Sequence, residues 1–201
     1  MAGYMAFPAA HATLSFMKPW APLNNRIVAA LFPIFLGLAV PAYAANLDEM
    51  FEKLQTAEPR EASRLERQIW REWSKSGSAA MDLLLGRGRD AMEAGETEAA
   101  IEHFTALIDH APDFAEGWNA RATAYFQAGL FGPSVSDIQH VLALNPRHFG
   151  ALSGFARILE DTDQPDRALQ LYRAALAIHP NLDGVREAIE RLETKAAGQE
   201  M

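Results

Sequence analysis

A spacing of 34 residues recurs through the second half of this chain of 201 residues and constrains its fold more than any other feature. Prolines, small residues and two sets of apolar residues all return at this interval in one register. The four columns are Pro112, Pro146 and Pro180; Ala100, Ser134 and Ala168; Phe104, Ile138 and Tyr172; and Ile108, Leu142 and Leu176. A unit of this length cannot bury its own apolar face, so neighbouring units must stack.

Each column has a physical reason in a pair of helices joined by a tight turn. Gly95 and Gly129 stand in the same register and can adopt the left-handed conformation that ends a helix. The prolines lack a backbone N–H and end the second helix of each pair. The third unit has Asp163 where the others have glycine, so we expect its turn to close differently. The sustained alternation that predicts strands is missing from the sequence.

The spacing and the residue types resemble the tetratricopeptide repeat family over residues 81–182. The second repeat offers the family's signature residues Trp118, Tyr125, Gly129, Ser134, Ile138 and Pro146. The resemblance implies an all-α fold, a right-handed α-solenoid of stacked helix-turn-helix repeats. The period divides the region into repeats at 81–114, 115–148 and 149–182.

Helical segments flank the repeats on both sides and are expected to cap the stack. Residues 45–78 contain amphipathic stretches at 47–57 and 60–74, which we interpret as an N-terminal cap or a degenerate repeat. Residues 183–201 are predicted to form a C-terminal capping helix and tail. In that helix Val185, Ile189 and Leu192 share one apolar face.

The first 44 residues have the order of parts of a secretory signal peptide. Lys18 and Arg26 precede an apolar run from Ile27 to Val40, and residues 42–44 read Ala-Tyr-Ala, a small-residue cleavage site. The run is shorter than the roughly 20 apolar residues that a membrane span needs. We therefore expect cleavage after Ala44 and export to a bacterial periplasm, with an uncleaved inner-membrane anchor as the alternative. Residues 1–16 are a possible upstream extension.

Charge and composition exclude several classes of function. The formal net charge is −8, and a net acidic chain is poorly suited to the phosphate backbone of a nucleic acid. The absence of cysteine excludes disulfides, zinc–thiolate sites and a cysteine nucleophile. No nucleophile elbow, P-loop, dinucleotide-binding fingerprint or HExxH motif occurs. No catalytic residue or cofactor is predicted, and the chain is not expected to be an enzyme.

The histidines after residue 45 do not have the spacing of metal ligands. They are His103, His110, His140, His148 and His179. None forms a pair one helical turn apart, so we interpret them as helix-end and surface residues and predict no metal site.

The aromatic residues of the second repeat favour a structural role. Trp118 and Tyr125 lie seven residues apart, hence on one helix face, and we interpret them as core. Arg121 stands between them, and its stem is expected to pack while its head reaches solvent or a carboxylate.

In the tetratricopeptide family, the first helices of successive pairs line a concave groove that binds extended or helical peptides. By that resemblance the groove is lined by Arg89, Met92, Glu93, Glu116, Asn119, Thr123, Phe126, Gln127, Ser153 and Arg157, with Asp82, Leu85, Glu160 and Asp161. Five acids against two arginines predict a partner with some basic character. One version of the fold clamps a C-terminal carboxylate, but the corresponding positions here hold Leu85, Arg89, Ala120, Gly150 and Gly154. That specificity is therefore not expected.

The sequence thus predicts a non-catalytic scaffold of the cell envelope that holds a peptide or helix of a partner protein in its groove. The alternative is a membrane-anchored envelope assembly factor that keeps its N-terminal segment. A nucleic-acid partner is not expected, and a membrane is a partner only if that segment is uncleaved.

Overall fold

The computed structural model describes the backbone of residues 40–199 and the side chains of residues 46–197. The predicted signal segment up to residue 39 lies outside the described residues. Every regular element between residues 40 and 199 is an α-helix. The helices are α1 (Val40–Thr56), α2 (Pro59–Trp73), α3 (Ala79–Glu93), α4 (Thr97–His110), α5 (Ala115–Gln127), α6 (Phe131–Leu144), α7 (Phe149–Asp161), α8 (Pro165–Ile178) and α9 (Val185–Gln199).

Three helical hairpins, α3–α4, α5–α6 and α7–α8, stack in chain order and form the solenoid that the period predicts. The column of small residues lies where the two helices of each hairpin cross. Its members Ala100, Ser134 and Ala168 are fully buried there. Ser134 satisfies its hydroxyl by donating to the carbonyl of Ala122 on the facing helix, at 2.8 Å. A side chain on Gly88 would clash with the ring of Phe104. Small residues therefore set how closely the helices approach.

The turn of the third hairpin corrects our expectation from the sequence. Asp163 has a φ of +55°, in the left-handed region that Gly95 and Gly129 occupy at +78° and +71°. The amide after it, that of Gln164, donates to the carbonyl of Leu159, and the two glycine turns make the equivalent bond. Asp163 closes its turn in the same way, because aspartate is among the few non-glycine residues that tolerate this conformation.

Helices α1 and α2 form a hairpin, but it does not extend the stack at its first end. Helix α1 begins at Val40, before the predicted start at residue 47. The hairpin makes few contacts with α3 and packs instead near the loops that precede α7 and α9. Phe149, at the start of α7, is buried among the hairpin residues Phe51, Leu54, Leu65 and Ile69. The prediction that this pair caps the solenoid beside the first repeat is therefore wrong in its placement.

Polar contacts hold the hairpin in this place across a long sequence separation. Gln55 donates its amide to the carbonyls of Ala177 and Ile178, at 3.0 and 2.7 Å. Asn181 returns a bond to the carbonyl of Ala57, at 2.9 Å. These amides satisfy carbonyls at helix ends, which have no partner within their own helix. The hairpin thus covers the end of α8 as well as the start of α7.

Helix α9 covers the last hairpin of the solenoid, α7–α8. Val185, Ala188 and Leu192 are buried against α8, while Ile189 is only partly buried. Arg191 adds a bidentate bond to Glu160 of α7, with distances of 2.8 and 3.0 Å from one nitrogen. Among the helices described here, none is long and apolar enough to cross a membrane.

Two glycines of α7 provide a matched test of the hairpin's position. A Cβ on Gly150 would lie 2.7 Å from the Trp70 ring of α2, whereas a Cβ on Gly154 would meet nothing within 4 Å. We expect Gly150→Ala to destabilise the protein by about 1–3 kcal/mol through overpacking. Gly154→Ala should stabilise it by up to about 1 kcal/mol, because alanine favours the helix. Thermal unfolding followed by circular dichroism measures both, and equal effects of the two changes would contradict the docking of Trp70.

Candidate binding groove

The first helices of the three hairpins form the inner side of the solenoid. Helix α5 contacts both α3 and α7, whereas the second helices of neighbouring hairpins approach one another less closely. A stack whose first helices are closer together than its second helices curves towards the first helices. The side chains that α3, α5 and α7 direct inward therefore line a concave surface.

Two clefts lie along this surface. One, of about 160 Å³, lies between α5, α6 and α7 and has a mainly apolar lining. It is formed by Asn119, Ala122, Thr123, Phe126, Ser134, Ile138, Gly150, Ala151, Gly154, Arg157 and Ile158. The second, of about 270 Å³, lies between α3 and α5 and is more polar. It is formed by Arg89, Met92, Glu93, Phe104, Glu116, Asn119, Ala120, Thr123 and Gln127.

Asn119 and Thr123 line both clefts, so the two form one continuous groove. Of the residues that the family register places in the groove, nine line the two clefts: Arg89, Met92, Glu93, Glu116, Asn119, Thr123, Phe126, Gln127 and Arg157. Ser153, Asp82, Leu85, Glu160 and Asp161 do not. Ser153 is partly buried and donates its hydroxyl to the carbonyl of Gly150, at 3.0 Å. Leu85, which the register also places in the groove, is a core residue with 2% of its surface exposed.

The centre of the polar cleft is a buried carboxylate. Glu116 of α5 is only 4% exposed, and its Oε1 accepts from the Arg89 guanidinium of α3, at 2.6 Å. Its Oε2 accepts from Asn119, at 3.3 Å, and lies 3.4 Å from Nε2 of His148. Arg89 also donates to the hydroxyl of Ser74, at the end of α2. One side chain thus connects three elements of the solenoid with the hairpin, and a buried carboxylate needs such partners.

The tautomer of His148 follows from its hydrogen bonds. The backbone N–H of Ala151 donates to Nδ1, at 3.0 Å, so Nδ1 carries no proton. The proton of the neutral ring is then on Nε2, which donates to Glu116. The ring stacks on Trp73 of α2, with centroids 4.3 Å apart and planes at 18°. His148 therefore caps α7, supports Glu116 and contacts the hairpin.

His148 and His179 lie at helix ends, as expected from the sequence, but they are buried, with 1% and 0% of their surfaces exposed. His179 ends α8, and its Nε2 lies 3.3 Å from a carboxylate oxygen of Glu66 on α2. This hydrogen bond lowers the pKa of Glu66 against the opposing effect of burial. Both histidines contact residues of the hairpin, and the period alone does not predict that these loops are covered.

Arg121 confirms its predicted behaviour. Its guanidinium forms a bidentate pair with Asp137 of α6, at 2.7 and 2.9 Å, and this hydrogen bonding raises the pKa of Arg121. The guanidinium also lies over the rings of Trp118 and Tyr125. The indole of Trp118 stacks on His140, with centroids 4.3 Å apart. Trp118 is partly buried against a core cluster of α5, α6 and α7. Tyr125 is also partly buried, and neither ring lines the two clefts.

The charges of the groove are largely compensated within the chain. Arg157 pairs with Asp161, at 3.1 Å, and Arg191 compensates Glu160. Glu93 differs: it is exposed, and no hydrogen bond or ion pair joins it to another described residue. Within the described part of the chain, no three of the histidine, aspartate and glutamate side chains come together as a metal site.

Comparison with known proteins agrees with the repeat architecture. A family model described as tetratricopeptide repeat matches residues 85–132 and 134–183. A TPR repeat-containing protein of Rhizobium etli is 39% identical over 154 residues, which are 76% of each chain. Among solved structures, the first TPR of Spaghetti (RPAP3) bound to an HSP90 peptide has a TM-score of 0.56 at 23% identity. It covers 58% of this chain and 93% of that one. The Sgt2 TPR domain from Aspergillus fumigatus has a TM-score of 0.57 at 22% identity, covering 61% and 83%.

Removing the Glu116 carboxylate tests the polar centre of the groove. Glu116→Ala leaves the buried Nε2–H of His148 without its acceptor, so we expect a loss of about 1–3 kcal/mol in the free energy of unfolding. Glu93→Ala is the matched control, because Glu93 is exposed on the same surface, and it should change stability little. Urea unfolding compares the midpoints, and equal midpoints for the two variants would contradict this role of Glu116.

Proposed function

The chain belongs to the tetratricopeptide repeat family, and we propose that it is a non-catalytic scaffold that binds a segment of a partner protein in its groove. The observation that carries the proposal is the continuity of the two clefts through Asn119 and Thr123. A single groove across three repeats suits an extended or helical segment better than a small ligand.

The chemistry of the groove supports this proposal. The apolar cleft, floored by Ala122, Ile138 and Ile158, offers space for an aliphatic or aromatic anchor. The amides of Asn119 and Gln127 can bond to the main chain of the segment, which gives affinity without sequence selectivity. The described residues offer no group of side chains that suggests a covalent or acid–base reaction, so binding is the function we propose.

The structure of the first TPR of Spaghetti contains an HSP90 peptide, which supports a peptide as the kind of ligand. A different ligand sequence is proposed, because the positions of the carboxylate clamp hold Leu85, Arg89, Ala120, Gly150 and Gly154. Arg89 is the one cation among them, and its guanidinium already pairs with the buried Glu116, at 2.6 Å. Leu85 is in the core, and Trp70 of α2 lies against Gly150. The positions of Leu85 and Gly150 therefore offer no cation to a terminal carboxylate.

The structure leaves fewer groove carboxylates available to a basic partner than the count from the sequence implied. Glu116, Glu160 and Asp161 are already paired with arginines of the chain. Asp82 accepts hydrogen bonds from the backbone N–H and the hydroxyl of Ser76 and does not line either cleft. Glu93 is left to attract a cation, at the end of the groove that α3 provides. We therefore propose a segment with one basic residue that faces Glu93 and an apolar residue in the cleft beside α7.

Site-specific photo-crosslinking tests the groove directly. A benzophenone side chain at Thr123, which is exposed in both clefts, should form a crosslinked product with a partner in cells. The same group at Gln170, exposed on the second helix α8, is the control and should not. Adding Asn119→Ala and Phe126→Ala together should remove the product. Crosslinking at Gln170 that matches Thr123 would contradict the groove assignment.

Because Phe126 also packs on Phe131, with centroids 5.7 Å apart, the double change can affect folding as well as binding. Thr123→Arg avoids this difficulty, since Thr123 is exposed and its hydroxyl bonds only to the carbonyl of Asn119. We expect this variant to keep its helical signal and to lose crosslinking from a benzophenone placed at Gln127, on the same surface.

We further propose that the protein is exported and acts in a bacterial cell envelope, on the basis of the signal-like segment that ends at Ala44. The alternative is a membrane-anchored assembly factor that retains this segment. Mass spectrometry of the mature protein should find Ala45 as the first residue. A mature chain that still contains Ile27 to Val40 would support the anchored alternative.

A further inference from the structure

One face of helix α2 carries a row of arginines that neither the fold nor the groove explains. They stand at i, i+4, i+7 and i+11, the spacing of one helix face. The members of this arginine row are Arg60, Arg64, Arg67 and Arg71. All four are exposed, and the buried residues Ala62, Leu65 and Ile69 lie on the opposite side of the helix. Because that opposite side packs against the solenoid, the row faces away from it.

The arginine row also differs from other arginines in its bonding. Arg64 has one ion pair, with Glu61 at 3.2 Å, and both side chains are largely exposed. Among the described residues, Arg60, Arg67 and Arg71 make no hydrogen bond or ion pair with a carboxylate. Of the other arginines among the described residues, all except Arg87 donate to an acceptor of the chain. The row is therefore a concentration of available donors.

We propose that the arginine row is a second interaction surface, which binds an acidic segment of a partner protein. By the rise of 1.5 Å per residue, the row extends about 17 Å along α2. It would match a helix whose carboxylates recur at the same spacing, so that each guanidinium meets one carboxylate. Guanidinium groups suit this partner because their planar donors can hold a carboxylate by two hydrogen bonds.

The surroundings of the row favour an acidic protein over a more extended polyanion. The chain as a whole carries a net charge of −8, which opposes the approach of a nucleic acid or an anionic bilayer. The adjoining helix α1 exposes Asp48, Glu49 and Glu52. Asp48 pairs with Arg147 and Glu49 with Lys53, so Glu52 is the one of the three without an ion pair among the described residues. A short acidic segment can contact the row alone and avoid these charges.

The composition of the row agrees with this choice. It presents no apolar side chain that could enter a bilayer, because the apolar residues of α2 are buried against the rest of the chain. It also presents no aromatic side chain between the arginines on which a base could stack. The surface is thus purely ionic, and it is distinct from the groove, so it does not depend on the function proposed above.

The test measures the binding of a fluorescently labelled helical peptide. Its glutamates stand at i, i+4, i+7 and i+11, and its other residues are alanine and glutamine. Fluorescence anisotropy with the full chain should show binding at low salt that weakens towards about 0.15 M salt. In a second protein, all four arginines of the row are changed to glutamine. Its affinity for the peptide should fall by at least about tenfold, the sum of four exposed ion pairs that each contribute modestly.

A control variant has the same net charge as the row variant, because it also loses four arginines, but it leaves the row intact. It changes exposed arginines of α3, α8 and α9 to glutamine, namely Arg87, Arg167, Arg173 and Arg186. We expect it to bind the glutamate peptide as the unmodified chain does. Equal binding by the row variant and this control would overturn the proposal, because the attraction would then depend on net charge alone.

Two further measurements complete the test. The unmodified chain should fail to bind the same peptide with glutamine in place of glutamate, a comparison that does not depend on whether a variant folds. Vesicles of phosphatidylglycerol and a single-stranded DNA are offered in parallel. Row-dependent binding to either one that is tighter than binding to the glutamate peptide would overturn the choice of a protein partner.

Discussion

A buried carboxylate, that of Glu116, joins the parts of this protein that the repeat pattern alone does not connect. It accepts from Arg89 on the preceding first helix and lies beside His148, which caps the following one. Trp73 stacks on the other side of His148, so the N-terminal hairpin is bound to the same site. Because a buried carboxylate is costly without partners, these contacts depend on one another. Arg89, Glu116 and Asn119 of this network also line the polar cleft of the groove.

Much of the solenoid could be predicted from the sequence because its columns are set by sterics that act locally. The buried column of Ala100, Ser134 and Ala168 fixes the helix crossings, and a 34-residue register carries the same constraint from unit to unit. The turn at Asp163 was mispredicted because a backbone conformation, rather than a residue type, is what the turn requires. The hairpin was misplaced because its contacts with Phe149 cross about half of the chain, and no local pattern reports them.

In the groove, too, the repeat register predicts some features, and tertiary contacts determine the others. The register was enough to bring Asn119, Thr123 and Arg157 to one surface, since first helices repeat their orientation. It could not show that Glu116 is buried, because that depends on which cation and which histidine meet it. Nor could it show that the arginines of α2 stay exposed, although their helical spacing was visible in the sequence. Which charged side chains are paired and which are exposed on each surface therefore depends on the tertiary structure.

The account depends most on the docking of the α1–α2 hairpin against the starts of α7 and α9. Native-state hydrogen exchange followed by mass spectrometry tests this most directly. Amides of α2 around Leu65 and Ile69, which are buried beside Phe149, should exchange as slowly as those of α7 and through the same opening. Complete exchange of α2 while α3 to α8 remain protected would contradict the docked hairpin, and with it the description of Glu116 as the link between hairpin and groove.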